Sequence, residues 1–599
     1  MSNSLFRTKK ISSILSEGGD DSHGGGGLKR VLNVRDLTFF GIAAIIGAGS
    51  FSSLGDAVHK GGPGVVLLFI ITGIACAFTA FCYSEFASRI PVAGSAYTYA
   101  YASFGELFAW IIGWALVMEY SIGNIYVAFS WSDYFTSFLS RLNVHIPDYL
   151  CTSYKEAQKA FIQGSANADL VNAWNSAPII GGLRIILDLP ALIINILITY
   201  LVFRGIKESR NFSNAMVLVK LAIVALVIIV GGAMVFSNGL SFNWTPENDQ
   251  GVKSFMPNGF GGVMAAVSGV FFAYIGFDAV SVLAEESKNP QRDLPRGMIN
   301  SLVICTIVYI LLTLVLTGAV NYRKFEGVGD PLAFIFEAAN LNVAWMQLLV
   351  AVCAVVAMTS VLLVFQMGQP RIWMSMSRDG LLPPVFQRIH PKFKTPSFAT
   401  IVTGIVVGVP ILFTDKTFVL DFTSIATLFA FVLVCGGVLL IPRKEKQAGK
   451  FNMPYVNAKM IYPGLLIAAI VILSLFAKNY FPTLFQFHLT QEELDGVAAG
   501  LTNPSADLIA EGNAAALLAK KTTNVSTIIF WLVCISLAIL AFLKNYSLIP
   551  LMGLTTCLYL LTGMSYSNWI WFFGWMVLGL IVYAVYGYRK SKLAGTAGA

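Results

Sequence analysis

The sequence has little charge. Only 12% of its 599 residues are Asp, Glu, Lys or Arg, whereas 56% are apolar. A soluble globular chain usually carries about 25% charged residues, and a soluble chain of this length would show polar linkers between several domains. Long apolar stretches instead recur almost from end to end. This composition excludes a soluble enzyme, a nucleic-acid-binding protein and a disordered scaffold, and it predicts an all-α polytopic membrane protein.

Residues for metal or covalent chemistry are also scarce. All five histidines lie outside the apolar stretches, and neither a His-Glu-x-x-His motif nor a phosphate-binding loop is present. All but one of the eight cysteines fall inside apolar stretches, where cysteine behaves as a small hydrophobic residue. The exception is Cys151, in a polar loop. We therefore expect no enzyme activity, no metal site and no cofactor.

Fourteen apolar stretches are present. A helix needs about 20 mostly apolar residues to cross a bilayer. The stretches that satisfy this requirement lie near 37–57, 64–89, 106–139, 188–205, 211–236, 261–285, 298–320, 342–372, 396–414, 420–441, 460–480, 526–543, 546–565 and 568–588. An even number places both termini on one side of the membrane. Most of the 40 Lys and Arg residues fall in segments on that side, which predicts cytoplasmic termini in a multi-pass protein of the plasma (inner) membrane.

Two of the fourteen stretches contain helix-weakening residues at their centres. Gly, Ala and Ser crowd the middle of Gly41–Gly55, and the sixth stretch has Gly276 followed by the acid Asp278. Glycine lowers the cost of unwinding a helix, and unpaired backbone is tolerated in a bilayer only where it lines a cavity. A pair of interrupted helices predicts a substrate site between them. The alternative is tight helix packing through small residues.

Three ionisable residues lie within apolar stretches. Glu119 is about 20 Å along the third stretch at 1.5 Å per residue, Lys220 is surrounded by aliphatic residues in the fifth, and Asp278 follows the glycine of the sixth. Charges inside a membrane are costly and indicate function unless they form a purely structural pair. A fixed ammonium at Lys220 could replace a bound sodium ion, and a buried lysine changes its protonation readily. The three residues are candidates for coupling transport to protons.

At these residues the sequence resembles the amino acid–polyamine–organocation (APC) superfamily, within its cationic amino acid transporter family. The matching stretches follow the family order from about residue 35 to 590. They are Gly41–Gly55, Gly113–Tyr120, Asn214–Lys220, Phe272–Asp278 continuing through Glu285–Pro295, Gln369–Ile372, Met376–Pro383 and Asn545–Pro550.

The resemblance implies a LeuT-type fold, in which two inverted five-helix repeats form the transport core. This assigns 1–36 to a cytoplasmic tail and 37–441 to the ten-helix core. Residues 442–588 then hold four additional helices with an extracellular loop at about 481–525, and 589–599 form a second cytoplasmic tail. The roles of the loops 140–187 and 481–525 stay open.

The resemblance also implies positions for the substrate. Its carboxylate would meet backbone N–H groups in the second half of the first helix, where a helix N-terminus attracts anions. Its ammonium would meet carbonyl groups freed at both interruptions. The N–H groups belong to Ala48, Gly49 and Ser50, and the carbonyls belong to Ile45, Ile46, Phe272, Ala273 and Ile275. Lys220 matches the family lysine that occupies the place of a sodium ion in sodium-coupled relatives, and Glu119 matches a buried family acid.

Two departures from the family pattern bear on the substrate. Ser50 stands where the family often has a larger aliphatic residue, and Met358 narrows the expected side-chain pocket with a bulky thioether. No additional carboxylate for a cationic side chain is evident near Met358. The sequence therefore predicts a proton-coupled, sodium-independent secondary transporter of small or medium neutral L-amino acids, with lipid and substrate as partners and no nucleic acid. A cationic amino acid facilitator or exchanger and a transporter-fold amino acid sensor are the alternatives, and the oligomeric state stays open.

Overall fold

The computed structural model describes residues 7–9, 32–47, 49–90, 95–163, 168–205, 210–248, 251–393, 395–440, 451–499 and 506–593. Helix dominates throughout. The α-helices are α1 (Val34–Ile45), α2 (Leu54–Gly61), α3 (Val65–Arg89), α4 (Ser95–Ser103), α5 (Glu106–Arg141), α6 (Tyr154–Gln163), α7 (Ala168–Ser176), α8 (Leu189–Arg204), α9 (Arg210–Ser237), α10 (Gly259–Ala265), α11 (Val267–Phe272), α12 (Pro290–Ala319), α13 (Pro331–Phe334), α14 (Ala344–Arg378), α15 (Ser397–Ile411), α16 (Lys416–Leu440), α17 (Ala458–Phe476), α18 (Tyr480–Leu484), α19 (Gln491–Ala499), α20 (Ala506–Lys544), α21 (Leu548–Leu561), α22 (Tyr566–Val582) and α23 (Tyr588–Lys590).

The remaining regular structure is short. Two π-helical turns occur at Gly49–Ser53 and Tyr583–Gly587, and a hairpin pairs β1 (Ile179–Ile180) with β2 (Leu183–Arg184). The 3-10 segments are Gly62–Gly64, Asp148–Leu150, Leu240–Trp244, Asp278–Glu286, Tyr322–Phe325 and Pro384–Gln387. The all-helical class predicted from the sequence is confirmed.

Nine helices in the described part of the chain are long and apolar enough to cross a membrane, and α8, α15 and α21 are shorter apolar helices. Each of the fourteen predicted stretches has helical structure, but the first and sixth are each divided among several short helices. Length and composition therefore do not confirm the count of fourteen, which stays a prediction.

Helix ends follow local sequence rules. The Asn33 side chain accepts hydrogen bonds from the backbone N–H groups of Arg35 and Asp36. The Asp36 carboxylate in turn accepts one from the Asn33 backbone N–H, which completes a capping box at the start of α1. The Asp188 carboxylate caps α8 through the Ala191 N–H. Gly205 ends α8 with a φ of 74°, a conformation that favours glycine.

The helices form two packed groups. In one, α5, α8, α14 and α15 contact one another, whereas in the other α12 packs against α1 and α3, and α11 contacts α3. Helix α9 contacts α1, α12 and α14, so it bridges the groups, and α16 bridges them through α5, α3 and α11. Of the most apolar stretch of α5, 89% is buried, against 11% of that of α17. Helix α5 is therefore central, and α17 is peripheral.

Buried amides connect the group that contains α5. The Asn124 Nδ2 donates to Gln366 Oε1 at 2.5 Å, Gln366 Nε2 donates to Thr199 Oγ1 at 2.8 Å, and Gln369 Nε2 donates to Ser121 Oγ at 2.6 Å. These bonds link α5 to α14 and α14 to α8. Interhelical side-chain hydrogen bonds stabilise helix association where water is absent.

Two ends of the molecule can be distinguished. Residues 7–9 and 588–593 lie together at one end, where the Arg7 guanidinium is 5.9 Å from the Tyr588 ring centre. We call this end the termini face. The loops between α5 and α8 and between α12 and α14 line a cavity at the opposite end, which we call the loop face.

Candidate functional site

The first and sixth apolar stretches are interrupted as the sequence predicts. Helix α1 ends at Ile45, Ile46 is extended with a φ of −78° and a ψ of 92°, and a π-helical turn begins at Gly49. Helix α11 ends at Phe272, Gly276 has a φ of 112°, and a 3-10 helix begins at Asp278.

The two interruptions pack directly against each other. A Cβ placed on Gly49 would lie 2.5 Å from Ala273 Cα, and one placed on Gly276 would lie 3.0 Å from the carbonyl carbon of Ala44. Both neighbours are backbone atoms that cannot move aside alone. Glycine is therefore required for the close approach, and Gly276 is also required for its positive φ.

Several of the predicted substrate-binding backbone groups have partners inside the protein. The Ile45 carbonyl accepts from Tyr309 Oη at 3.0 Å. The Ser50 N–H donates to the Gly47 carbonyl at 3.1 Å, and the Phe272 carbonyl accepts from the Ile275 N–H at 3.1 Å. Ile46 and Ala273 lie buried at the interruptions, and Ala48 lies outside the described residues. The structure therefore shows three of the predicted groups, the Ile45 and Phe272 carbonyls and the Ser50 N–H, hydrogen-bonded without a ligand.

A small cavity of about 10 Å³ lies between the interruptions, roughly the room for one water. Its lining comprises Ala44, Ile45, Gly49, Val127, Phe272, Ile275, Val361 and Phe365. Sequence reasoning identified four of these residues and missed Ala44, Val127, Val361 and Phe365. Met358 is fully buried on α14 but is not among the lining residues. Val361 and Phe365 follow Met358 at helical spacing on the same face of α14, so the sequence pattern could have indicated these two lining residues.

Lys220 connects three helices beside the first interruption. Its side chain is buried, and its Nζ donates to Ser360 Oγ at 2.6 Å and to the Ala43 carbonyl at 3.4 Å. The ammonium thus links α9 to α1 and α14. The sequence predicted carbonyl partners from the first stretch, and Ala43 provides one.

Glu119 and Asp278 form a second polar centre. Both are buried, and their carboxylates interact electrostatically with each other. Thr427 lies beside Glu119, and Asp278 is the first residue of the 3-10 helix, close to the backbone of Gly276 and Ala279. Asp278 therefore lies at the second interruption and interacts with Glu119.

A second cavity, of about 1090 Å³, opens on the loop face. Nine carboxylate side chains line it, with four Lys or Arg side chains. The carboxylates are Asp56, Asp133, Asp148, Glu156, Asp169, Asp188, Glu326, Asp330 and Glu337. Burial, followed by the negative charge of Asp133, raises the pKa of Glu156 to about 7, and burial likewise raises the pKa of Asp330 to about 7.

One aromatic pair stands between the two cavities. Tyr126 lines the large cavity, Phe272 lines the small one, and their ring centres are 4.5 Å apart in an edge-to-face arrangement. At the floor of the large cavity, the Lys416 ammonium pairs with the Asp133 carboxylate and joins α16 to α5. The small cavity is therefore closed on this side by a thin barrier.

Comparison with known proteins identifies the family. The family model described as amino acid permease matches residues 32–493. The branched-chain amino acid permease BcaP of Bacillus subtilis (strain 168) is 39% identical over 78% of this chain and 91% of its own length. The methylthioribose transporter of the same organism is 39% identical over 76% of this chain and 89% of its own length.

A third relative covers nearly the whole chain. Cationic amino acid transporter 4 of Homo sapiens is 28% identical over 94% of this chain and 88% of its own length. The relatives are permeases and transporters rather than enzymes, and the resemblance to the APC superfamily is confirmed. Together with the interrupted helices, these matches show that the chain is an integral membrane protein of LeuT-type fold that belongs to the amino acid permease family.

Proposed function

We propose that the protein is a proton-coupled, sodium-independent secondary transporter that carries small or medium neutral L-amino acids by alternating access. The observation that carries this proposal is the Lys220 ammonium, which is held between the Ala43 carbonyl and the Ser360 hydroxyl. A positive charge fixed there stabilises exposed carbonyl groups as a bound sodium ion would, so a sodium ion is not needed. Loss and gain of its proton can then accompany the transport cycle.

The small cavity supports a neutral substrate. Its lining side chains are apolar or aromatic, and its polar surface comes from backbone groups of the two interruptions. A cationic side chain placed there would lose its hydration without gaining a counter-charge. The similarity to BcaP, a branched-chain amino acid permease, agrees with an aliphatic pocket.

Substrate binding requires the existing bonds at the interruptions to be exchanged. We infer that the substrate ammonium takes the place of Tyr309 Oη on the Ile45 carbonyl. Its carboxylate then takes the place of the Gly47 carbonyl on the Ser50 N–H, with Ala48 and Gly49 beside it. The carbonyls of Ile46, Phe272, Ala273 and Ile275 complete the proposed site, with Met358 one turn further along α14. Exchanging one hydrogen bond for another limits the energetic cost of binding.

Coupling is assigned to the two polar centres. Lys220 contacts Ala43 of α1, and Glu119 interacts with Asp278 of the 3-10 helix, so movement of α1 and of the 3-10 helix alters the surroundings of both. We propose that protons move between solvent and these groups as the helices move, with both termini cytoplasmic and the loop face outside. The domain limits 1–36, 37–441, 442–588 and 589–599 belong to this proposal.

The test is uptake into liposomes by the purified protein. Labelled alanine, leucine, arginine and lysine are supplied under an inward proton gradient, an inward sodium gradient or neither. Proton-driven uptake of alanine or leucine is expected, and Lys220→Met should abolish it. Arginine uptake that responds to neither gradient would overturn the proposal. Retained binding of leucine by the folded Lys220→Met protein would show that coupling, rather than folding, was lost.

A second candidate function is a cationic amino acid facilitator or exchanger. The nine carboxylates of the loop-face cavity favour it, because they concentrate cations at its entrance. The cationic amino acid transporters among the relatives are consistent with it. Widening the pocket with Met358→Ser should admit longer cationic side chains.

A sensor would bind the amino acid in the same site without moving it, so the liposome assay separates it from both transporters.

A further inference from the structure

Both ends of the described chain converge on two carboxylates at the termini face. One is Glu106, the first residue of α5, and the other is Asp379, which follows α14. Both helices belong to the group joined by buried amides. Neither carboxylate contacts the proposed substrate site.

Glu106 is fully buried and accepts three side-chain hydrogen bonds. Tyr583 Oη donates to Oε1 at 2.9 Å, while Ser591 Oγ and Tyr101 Oη donate to Oε2 at 2.5 and 3.3 Å. Its backbone N–H donates to the Arg7 carbonyl at 2.9 Å. Glu106 is thus bonded to both ends of the described chain, through Arg7 on one side and Tyr583 and Ser591 on the other. Hydrogen bonds to a carboxylate are among the stronger ones.

Asp379 repeats this arrangement. Lys9 Nζ forms an ion pair with its carboxylate at 3.0 Å, and Tyr97 Oη donates to it at 2.6 Å. Its backbone carbonyl accepts from the Lys592 N–H at 3.1 Å. The next residue, Gly380, has a φ of 81°, and a Cβ there would overlap the Lys590 carbonyl. The C-terminal segment therefore lies directly against the loop after α14.

The residues that hold these contacts also pack toward the second interruption. Tyr97 and Tyr101 belong to α4, and between them Tyr99 stacks on Phe86 of α3 with ring centres 4.9 Å apart. Tyr99 also approaches Ser281, a fully buried residue in the 3-10 helix beyond the second interruption. Helix α4 thus packs against the 3-10 helix, and any opening on this side that exposes Ser281 would separate the two.

We propose that residues 7–9 and 588–593, held on Glu106 and Asp379, form a terminal clasp that keeps the transporter closed at the termini face. The clasp determines how often this face opens and thereby regulates transport of any substrate. Its position lets a change at either chain end, such as binding of a cytoplasmic partner to the tail or removal of the tail, alter the transport rate. This goes beyond the proposed substrate and coupling and requires neither.

The test measures opening without substrate. The Ser281→Cys protein in detergent is alkylated with a water-soluble maleimide, and peptide-resolved mass spectrometry separates residue 281 from the native thiols. In this background Lys9→Gln should accelerate alkylation roughly fivefold, as expected for loss of one partly buried ion pair. The matched control is Lys592→Gln, which removes the same charge from an exposed side chain of the clasp but keeps its backbone bond to Asp379, and should leave the rate unchanged.

A charge exchange makes the result specific. The double variant Lys9→Asp/Asp379→Lys restores an ion pair with reversed polarity and should bring alkylation back toward the parental rate. Size-exclusion profiles show whether each variant is folded. Hydrogen exchange of α4 gives a second readout that does not depend on the introduced cysteine. Equal alkylation rates and equal hydrogen exchange in the parent and the folded Lys9→Gln protein would contradict the clasp proposal. The liposome assay tests the proposed transport function independently of this result.

Discussion

The carboxylates of the loop face and of the termini face differ in their exposure and in what they bind. On the loop face, nine carboxylates line a cavity of about 1090 Å³ that remains open. On the termini face, Glu85, Glu106 and Asp379 are all hydrogen-bonded: Glu85 pairs with Arg89 and accepts from the Met453 N–H at 2.9 Å. Some loop-face carboxylates are bonded as well, since Asp133 pairs with Lys416 and Asp188 accepts from the Ala191 N–H. Others, such as Glu326, are exposed in the cavity and can attract cations, whereas the three on the termini face join helices. One face is therefore suited to collecting a ligand and the other to resisting opening.

The barriers beneath the two faces differ as well. From the loop face, the Tyr126–Phe272 pair lies between the large cavity and the small one. On the termini face, the clasp lies over a cluster in which Tyr83 contacts Tyr99, Phe277 and Phe431. A barrier of one aromatic pair opens by a side-chain rotation, but a cluster linking several helices opens only when helices move. The structure thus represents a conformation closed at both sides and nearer to opening at the loop face.

The largest effect should come from the junction on which both faces depend. In Gly49→Ala the new methyl group would meet the Ala273 backbone at 2.5 Å, a strain of about 3 kcal/mol or more. We expect uptake to disappear and the thermal midpoint of the purified protein to fall. Gly464→Ala is the matched control. It also replaces a helical glycine by alanine, but a Cβ at residue 464 meets no atom within 4 Å. Uptake that survives in Gly49→Ala would show that the interruptions need not touch.

The next largest effect should be on the termini face. Glu106→Ala leaves Tyr583, Ser591 and Tyr101 without their acceptor, and we expect a loss of about 3 kcal/mol in stability because hydrogen bonds to charged groups are each worth about 1.5–3 kcal/mol. Thermal unfolding in detergent measures it. Glu326→Ala, on an exposed side chain of the loop-face cavity, should change little. If the two variants unfold alike, the contrast between bonded and solvated carboxylates is wrong.

A smaller effect should follow on the loop face. Lys416→Met breaks the ion pair with Asp133. The Lys416 and Asp133 side chains are 15% and 29% exposed, so we expect the loss of interaction energy to be about 1 kcal/mol. We expect this face to stay open longer, which lowers the turnover rate about fivefold and changes the apparent affinity less. Initial rates of uptake across a concentration series separate the two quantities. Lys324→Gln removes an exposed charge from the same cavity, and an equal effect there would assign the loss to net charge alone.

The comparison also shows what the sequence could and could not predict. Composition and glycine position predicted the helical class and both interruptions, because hydropathy and backbone freedom are local properties. The partner of the Ile45 carbonyl, Tyr309, lies 264 positions away, and no local pattern indicates that bond. Val127 and Phe365 line the small cavity through the rotation of α5 and α14, which packing determines. The joining of both chain ends on Glu106 depends on contacts across the whole molecule.

The smallest effect concerns pH and tests whether burial of a charged loop-face carboxylate lowers the stability of the folded protein. Burial and the neighbouring Asp133 raise the pKa of Glu156 to about 7, with Asp415 acting in the same direction, Lys416 opposing it and Ser153 donating a hydrogen bond. Between the unfolded pKa of about 4.3 and this value, the folded protein retains a proton that the unfolded chain releases. Stability should therefore fall as pH rises through that window and level off above it.

Glu156→Gln keeps the neutral form at every pH. It should match the parent near pH 4, where Glu156 is protonated in both states, and unfold at a temperature a few degrees higher near pH 8, where the parent alone has a buried charge. Asp330, with a pKa also raised to about 7, retains its own contribution, so the dependence should weaken rather than vanish. Thermal midpoints of both proteins from pH 4 to pH 8 measure the difference. Parallel curves would place Glu156 in effective contact with solvent, and the loop-face carboxylates would then differ from the buried Glu106 in desolvation.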